Sequence, residues 1–357
     1  MNSRPRIIVV GAGIIGASIA WHLSKAGASV TVIGASGAGG VATPNSFAWI
    51  NASWGNPEPY FRLRVRSMAA WRRLAEMVPG LPLTQTGGLR WDLPTDEMES
   101  YVRQHGGWGY GIRKVSRAVL LQIEPNLADP PEMALHVIEE GAAEPRAAAQ
   151  VLLADAERNG ARLQLNSLVL ELIQQGSRTV GVRTEAGFLA ADEIVLAAGG
   201  RTAELAATAG IQVPLSMPPG ILVYTKPHAR LINSVLVSPG LELRQTVDGR
   251  VIASADFGTG DQVRGAGAVA QDLFAKVTAM LEGADDLVFD HHLIGYRPMP
   301  SDGFPIVGRA RGHDGLYVAV THSGITLAPA IGMFVAEEIL LCRRDPLLSP
   351  YSLARFA

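Results

Sequence analysis

A single cysteine, Cys342, stands among the 357 residues, so a disulfide framework is excluded. Charge of one sign is equally scarce: 31 Lys and Arg face 33 Asp and Glu, a net charge of -2. A general attraction to nucleic acid or acidic lipid is therefore not expected. Uninterrupted apolar runs of membrane-spanning length, internal repeats and low-complexity tracts are also missing. Arg4 and Arg6 ahead of an apolar run through Ala20 imitate a secretory leader, but cleavage there would destroy the glycine spacing of that same segment. The expectation is a mature N-terminus and a cytoplasmic protein. Cys342 falls in an apolar C-terminal helix pattern and reads as a small buried thiol. Arg62, Arg64, Arg66, Arg72 and Arg73 read as the solvated face of one amphipathic helix.

What is present begins at once. The apolar strand Ile7-Ile8-Val9-Val10 runs into Gly11-Ala12-Gly13-Ile14-Ile15-Gly16, and Ile15, Ile19 and Leu23 then recur at helical spacing. Gly27 ends that helix, and Val30 to Ile33 supply a second strand. This strand, glycine turn, helix and strand is the unit that cradles a dinucleotide pyrophosphate. Gly11 allows the tight turn, Gly13 lets the backbone approach the phosphates, and Gly16 lets helix and strand lie close. The helix start faces the anion with unpaired N–H groups and a partial positive charge.

The later chain divides by pattern. A Gly/Ser/Asn loop covers 34–56, a helix 60–77, and a stretch broken by Pro and Gly 81–133. A helix over 145–159 with Pro145 in its first turn stops at Gly160, and a strand follows over 161–165. Strands over 168–173, 179–184 and 188–190 surround the turn at Gly176. The run 193–200 reads as a buried strand ending in small residues, and 213–293 alternates like antiparallel sheet with a turn at Asp248-Gly249. A strand, a glycine turn and a long helix occupy 315–341. The fold expected is α/β: a Rossmann-like dinucleotide-binding domain from 1–45, 136–214 and 294–357. It is interrupted by a mixed, largely antiparallel β-sheet substrate domain with helices, from 46–135 and 215–293, with a pocket at the junction.

Three further segments carry a resemblance. They are Asp192-Glu193-Ile194-Val195-Leu196-Ala197-Ala198-Gly199, Gly295-Tyr296-Arg297-Pro298-Met299-Pro300-Ser301-Asp302-Gly303-Phe304-Pro305-Ile306-Val307-Gly308, and Gly315 to Ala330 around Thr321-His322-Ser323-Gly324-Ile325-Thr326-Leu327. With the N-terminal unit, in this order, the chain resembles the D-amino-acid oxidase and glycine/sarcosine oxidase family of flavoproteins. The segments 46–135 and 215–290 are the least family-like, and substrate specificity is expected there.

The resemblance implies non-covalent FAD. It places the dinucleotide on Gly11, Ala12, Gly13, Ile14, Ile15 and Gly16, and on Ile33, Gly34, Ala35 and Ser36 at the second strand's end. Val41, Ala42, Asn45 and Ser46 follow in the next loop. Val169, Ala198, Gly199 and Gly200 are implied on the far side. Arg297, Ser323, Gly324, Ile325, Thr326 and Leu327 are implied near the flavin ring. Gly324 permits close approach of backbone to a planar ring, and the helix behind it aims N–H groups at the edge that becomes negative on reduction.

For the substrate, the resemblance implies that Arg297 clamps a carboxylate with its guanidinium fork; the competing reading is an internal salt bridge. His322 either accepts a proton from the substrate ammonium or orients its loop. Trp49, Asn51 and Trp54 are candidates for shaping the pocket. Glu242 stands where related oxidases have an aromatic contact to the carboxylate. There it would repel a substrate carboxylate and favour a second cationic group, although an exposed strand residue is the preferred reading.

The pattern fails at one place. The family ends its second strand with an acidic residue for the adenosine ribose, whereas this chain has Gly34, with only Ser36 offering a side-chain hydroxyl. Losing a charge-assisted pair weakens binding by roughly 1.5–3 kcal/mol, so partial loss of FAD on purification is expected. No Arg or Lys lies in that loop to receive a 2′-phosphate, and Cys342 lies beyond the flavin motifs, away from any covalent attachment. The implied activity is oxidation of the C–N bond of a primary or secondary amino acid to an imine, by hydride transfer to flavin N5. Oxygen or another acceptor takes the electrons, and a homo-oligomer is possible. The alternatives are a dehydrogenase subunit that reduces a partner protein or quinone, and a flavin-binding protein without turnover. Hydroxylation with NAD(P)H is disfavoured by the lack of a second glycine-rich loop.

Overall fold

The computed structural model of the protein describes residues 4–356. Its first sheet orders six strands as Ile306–Arg309, Leu316–Val320, Glu193–Leu196, Arg6–Val10, Ser29–Gly34 and Arg162–Leu165. All neighbours pair in parallel except Ile306–Arg309, which runs against Leu316–Val320. Both faces of the central strand are covered, which is why it reads as a continuous apolar run. Ile7 and Val9 face a layer of three helices, Ile14–Lys25, Pro145–Arg158 and Gly324–Leu341. Ile8 and Val10 face the opposite way, against the hairpin strands Val169–Gln175 and Arg178–Thr184 and the helix Thr202–Ala207. The layered parallel sheet is the Rossmann-like architecture.

A second sheet of eight strands is assembled from both excursions. Its order is Phe289–Tyr296, Pro219–Thr225, Val251–Asp256, Leu241–Gln245, Val235–Ser238, Gly88–Arg90, Met133–Val137 and Ile112–Ser116. The excursions meet where Val235–Ser238 pairs in parallel with Gly88–Arg90. Two strands straddle the boundaries expected from sequence: Met133–Val137 crosses 135/136 and Phe289–Tyr296 crosses 293/294. Strand alternation sorts the side chains. Ile221, Val223, Leu243, Val251 and Ala253 pack under the helix Ala266–Met280. Leu222 and Ile252 face the other way, onto Phe47 and Ala142. Glu242, Arg244, Ser254 and Asp256 share that second face by the same alternation.

Three expectations need correction. The helix Glu58–Met77 does expose Arg62, Arg72 and Arg73, but Arg64 is only 4% exposed and Arg66 is half-buried. A helical face wide enough to hold all five in water does not exist, because the same turn must bury Tyr60, Leu63 and Ser67. Cys342 is exposed, since it caps the last helix in a left-handed conformation (φ 53°) instead of continuing it. Finally, Gly324–Leu341 is long and apolar enough to cross a membrane, with mean hydropathy 1.6. That helix is a core helix here, with 72% of the stretch buried inside the protein.

The core helix contains Pro329, which has no N–H to give to Ile325 four residues earlier. Trp71 Nε1 donates to that carbonyl instead, at 2.8 Å, and Ser67 Oγ accepts from Ala330 N at 3.2 Å. The repair is made by the helix Glu58–Met77, so the two helices are registered by hydrogen bonds as well as by packing. Trp71→Phe should leave the Ile325 carbonyl buried without a donor and cost about 1–3 kcal/mol, read from denaturant unfolding of the FAD-free protein. An unchanged midpoint would show that the bond contributes nothing.

Candidate active site

A cleft of about 1240 Å³ runs between the two sheets. Gly11 to Ile15, Ile33 to Ser36, Ala198 to Gly200, Thr321 to Thr326 and Arg297 all line it. The N-terminal loop and the C-terminal turn are neighbours: a Cβ on Gly324 would stand 3.6 Å from Ile15 Cγ1. Val41, Ala42, Asn45, Ser46 and Val169 also line the cleft, as do Trp49, Asn51, Glu242 and His322. Gly16 and Leu327 do not. Leu327 is fully buried in the core helix, and Gly16 lies behind the loop, where a Cβ would fall 1.9 Å from the Gly11 carbonyl oxygen.

The loop has the form of a cradle. Gly11 adopts φ +120° and a Cβ there would lie 2.2 Å from the Ala197 carbonyl oxygen, so only glycine fits. Gly39 and Gly40 fold back over it at positive φ, with a Cβ on Gly40 only 3.1 Å from Gly13. Thr43, which sequence reading did not single out, accepts from Ile14 N through Oγ1 at 3.0 Å and fastens this second loop to the helix start. At the strand end, a Cβ on Gly34 would stand 2.8 Å from Ala12 Cβ. The hydroxyl residues Ser36 and Ser167 line the cleft beside it, and Ser167 N donates to the Gly34 carbonyl at 2.9 Å. Ser167 was missed because it lies more than a hundred residues from the loop it adjoins.

The turn at Ser323 is organised by Arg64. Its Nε and Nη2 donate to Asn51 O (2.9 Å) and Asn51 Oδ1 (2.5 Å), and Nη1 donates to Ser323 Oγ at 2.8 Å. No carboxylate pairs with it among the described residues, so a buried cation stands beside the turn. Ser323 is held at φ 56°, a left-handed conformation costly for a non-glycine residue. Ser323 Oγ also lies 3.0 Å from His322 Nδ1. Because Oγ accepts from Arg64, its own hydrogen is free to go to Nδ1, which places the imidazole proton on Nε2. Burial, then the charges of Arg64 and Arg297, lower the His322 pKa to about 4, so the ring is neutral at pH 7.

Arg297 Nη2 donates to Asp256 Oδ1 at 2.7 Å, while its Nε is buried without a partner. The two readings of this residue therefore coincide: it lines the cleft and it is paired. The pair is weak, since Asp256 is 86% exposed. Glu242 contradicts its preferred reading as an exposed strand residue. It faces the cleft, and burial pushes its carboxyl up to about 7, with Ser254 and Arg297 acting against the shift.

Behind the cleft wall, Glu140 accepts from Tyr110 OH at 2.5 Å and from Trp49 Nε1 at 2.9 Å. This fixes the plane of the Trp49 ring. Thr326 Oγ1 in turn donates to Trp49 O at 3.2 Å and accepts from Asn51 N at 3.3 Å, tying the wall to the start of the core helix. Trp54 Nε1 donates to Glu97 at 3.0 Å.

A glycine cradle facing a helix-start turn across one cleft, on a parallel sheet joined to a second sheet, defines a dinucleotide-binding enzyme. The family model described as FAD dependent oxidoreductase (DAO) matches residues 6–338, and the chain belongs to that family. An uncharacterized oxidoreductase, YurR, of Bacillus subtilis (strain 168) is 28% identical over 371 residues, covering 96% of this chain and 97% of its own. Glycine oxidase of Geobacillus kaustophilus (strain HTA426) is 26% identical, covering 99% and 98%. The crystal structure of L-proline dehydrogenase from P. horikoshii superposes with a TM-score of 0.88 at 25% identity, covering 100% of this chain and 98% of that one. The protein is an FAD-dependent oxidoreductase, and the cradle at Gly11 fits the dinucleotide. The one cysteine is exposed and lies outside the cleft, so no thiol is placed to bond a flavin.

Glu140 yields a pH test. Burial raises its pKa from 4.5 to about 7, so the folded protein holds this proton more tightly than the unfolded chain. Its contribution to stability is fully present below pH 4.5 and is lost as the pH rises through 7. Glu140→Gln, which keeps a neutral group at this position, should therefore melt closest to wild type near pH 5 and gain on it as the pH rises towards 8. A difference independent of pH would show that Glu140 is ionised throughout.

Proposed function

We propose that the protein oxidises the C–N bond of a primary or secondary amino acid to an imine, with hydride passing from the α-carbon to flavin N5. The single observation that carries this is Arg297 in the cleft wall, ion-paired with an exposed carboxylate and retaining a buried Nε–H without an acceptor. A substrate carboxylate can displace Asp256, taking two parallel donors in place of one. His322 is neutral, lines the cleft and holds the Ser323 turn through Nδ1, leaving Nε2–H as a donor, so it orients its loop and does not take the proton of the substrate ammonium. Trp49 and Trp54 wall the site and limit water. The N–H groups at the start of Gly324–Leu341, with the buried Arg64 cation beside them, provide positive potential at Ser323 to Thr326. Bound FAD supplies the two-electron acceptor.

The electron acceptor has a second reading. The similarity to an L-proline dehydrogenase supports an acceptor other than oxygen, and the similarity to glycine oxidase supports oxygen. Peroxide release in air, compared with reduction of an artificial dye, decides between them.

The reaction is tested by anaerobic titration of the FAD-loaded enzyme with D-, L- and N-methyl amino acids, following loss of oxidised-flavin absorbance. Bleaching by none of them would remove the proposal. With a reducing substrate in hand, Arg297→Ala should raise KM at least roughly 10-fold, as expected for a lost charge-assisted contact, and leave the oxidised-flavin spectrum intact. Unchanged KM would exclude Arg297 from substrate binding.

A further inference from the structure

Building on the proposed amino acid oxidation, we infer that Glu242 selects the substrate class: an amino acid bearing a second cationic group, an amine or guanidine, on its side chain. The first support is the register of the second sheet. Glu242 lies opposite Ser254, and Asp256 lies two residues further along that strand, opposite Gly220. All three side chains fall on the sheet face that lines the cleft. Gly220 has no side chain, and the Arg297 guanidinium fills that space, with Cζ 3.8 Å from where a Cβ would stand. The carboxylate-binding candidate and Glu242 therefore share one wall, within reach of one small molecule.

The second support is what Glu242 lacks. Other buried carboxylates in this protein are well supplied with donors. Glu124 accepts from the amides of Asn233 and Ser234, Glu140 from Tyr110 and Trp49, and Glu338 from Tyr317 and Arg344. Glu242, which is half-buried, has only Ser254 opposite it on the neighbouring strand and, among the described residues, no ion pair. A half-buried carboxylate that faces a cleft and has no ion pair of its own is a vacancy for a cation.

The third support is the charge balance once a substrate is bound. Arg297 is now neutralised by Asp256. A substrate carboxylate that takes Arg297 releases Asp256, leaving two carboxylates on that wall. The donors of Arg64 are engaged by Asn51, Tyr60 and Ser323, and His322 is neutral. A substrate with a neutral side chain leaves Glu242 unpaired, and one with an acidic side chain adds repulsion. A side-chain ammonium or guanidinium supplies the missing partner.

The test uses the FAD-loaded enzyme and anaerobic flavin bleaching with lysine, ornithine and arginine against glycine, N-methylglycine, alanine and glutamate, each chiral one in both configurations. Basic amino acids are expected to reduce the flavin at the lowest concentrations. In Glu242→Gln, the preference for basic over neutral substrates, as a ratio of kcat/KM, should fall roughly 10- to 100-fold. Glu242→Leu serves as a second variant, and flavin absorbance with thermal melting confirms that each is folded. A neutral or acidic amino acid preferred by wild type overturns this inference and leaves the proposed oxidation standing, a result that needs no variant. An unchanged preference in both variants overturns it likewise. Bleaching by no amino acid at all overturns both.

Discussion

The first and last long helices lie so close that Gly332 has no room for a side chain. A Cβ there would stand 2.3 Å from Ser18 Oγ and 2.7 Å from His22 Nδ1. This contact brings the glycine loop at the start of Ile14–Lys25 and the turn at the start of Gly324–Leu341 to the same end of the molecule, with Gly324 beside Ile15. Both helices point their N-termini into one cleft, so two sets of unpaired N–H groups and two positive helix ends converge there. An anionic, elongated ligand is what such an arrangement accommodates. Every later feature of the site is built on that approach.

Electrostatic control of the cleft comes from groups kept away from their usual partners. Arg64 is a buried cation whose donors are satisfied by Asn51, Tyr60 and Ser323, none of which carries charge. Its charge adds to burial in keeping His322 neutral. The same guanidinium fixes Ser323 in its left-handed turn, so one residue sets both the geometry and the potential at that turn. On the facing wall the sign reverses: Glu242 and Asp256 bracket Arg297, and burial holds the Glu242 carboxyl near neutrality.

The architecture constrains the dinucleotide end far more tightly than the substrate end. The glycine positions are constrained by backbone contacts at distances no Cβ survives, as at Gly11 against Ala197 and Gly16 against Gly11. The second sheet imposes only alternation. Any residue at 242 or 254 faces the cleft, whatever its chemistry, because its neighbours Leu241, Leu243 and Ala253 must face the core under Ala266–Met280.

The nucleotide-binding unit was legible from local order alone, because strand, glycine turn and helix are contiguous and their spacing is set by covalent geometry. The hairpin at Asp248-Gly249 was legible for the same reason, and Gly249 does take a positive φ of 91°. The family resemblance along the chain added the cofactor. Arg64, Ser167 and the Glu140 network were invisible in one dimension: each acts through partners dozens to hundreds of residues away, on helices or strands whose rotation the sequence pattern does not specify. Arg64 looked like its exposed neighbours Arg62 and Arg72 because amphipathicity reports a helix's average face and not the fate of one position at its edge. Whether Glu242 met water or the cleft depended on what covers the second sheet, and only the packing of that sheet against Phe47 and the nucleotide-binding unit decided it.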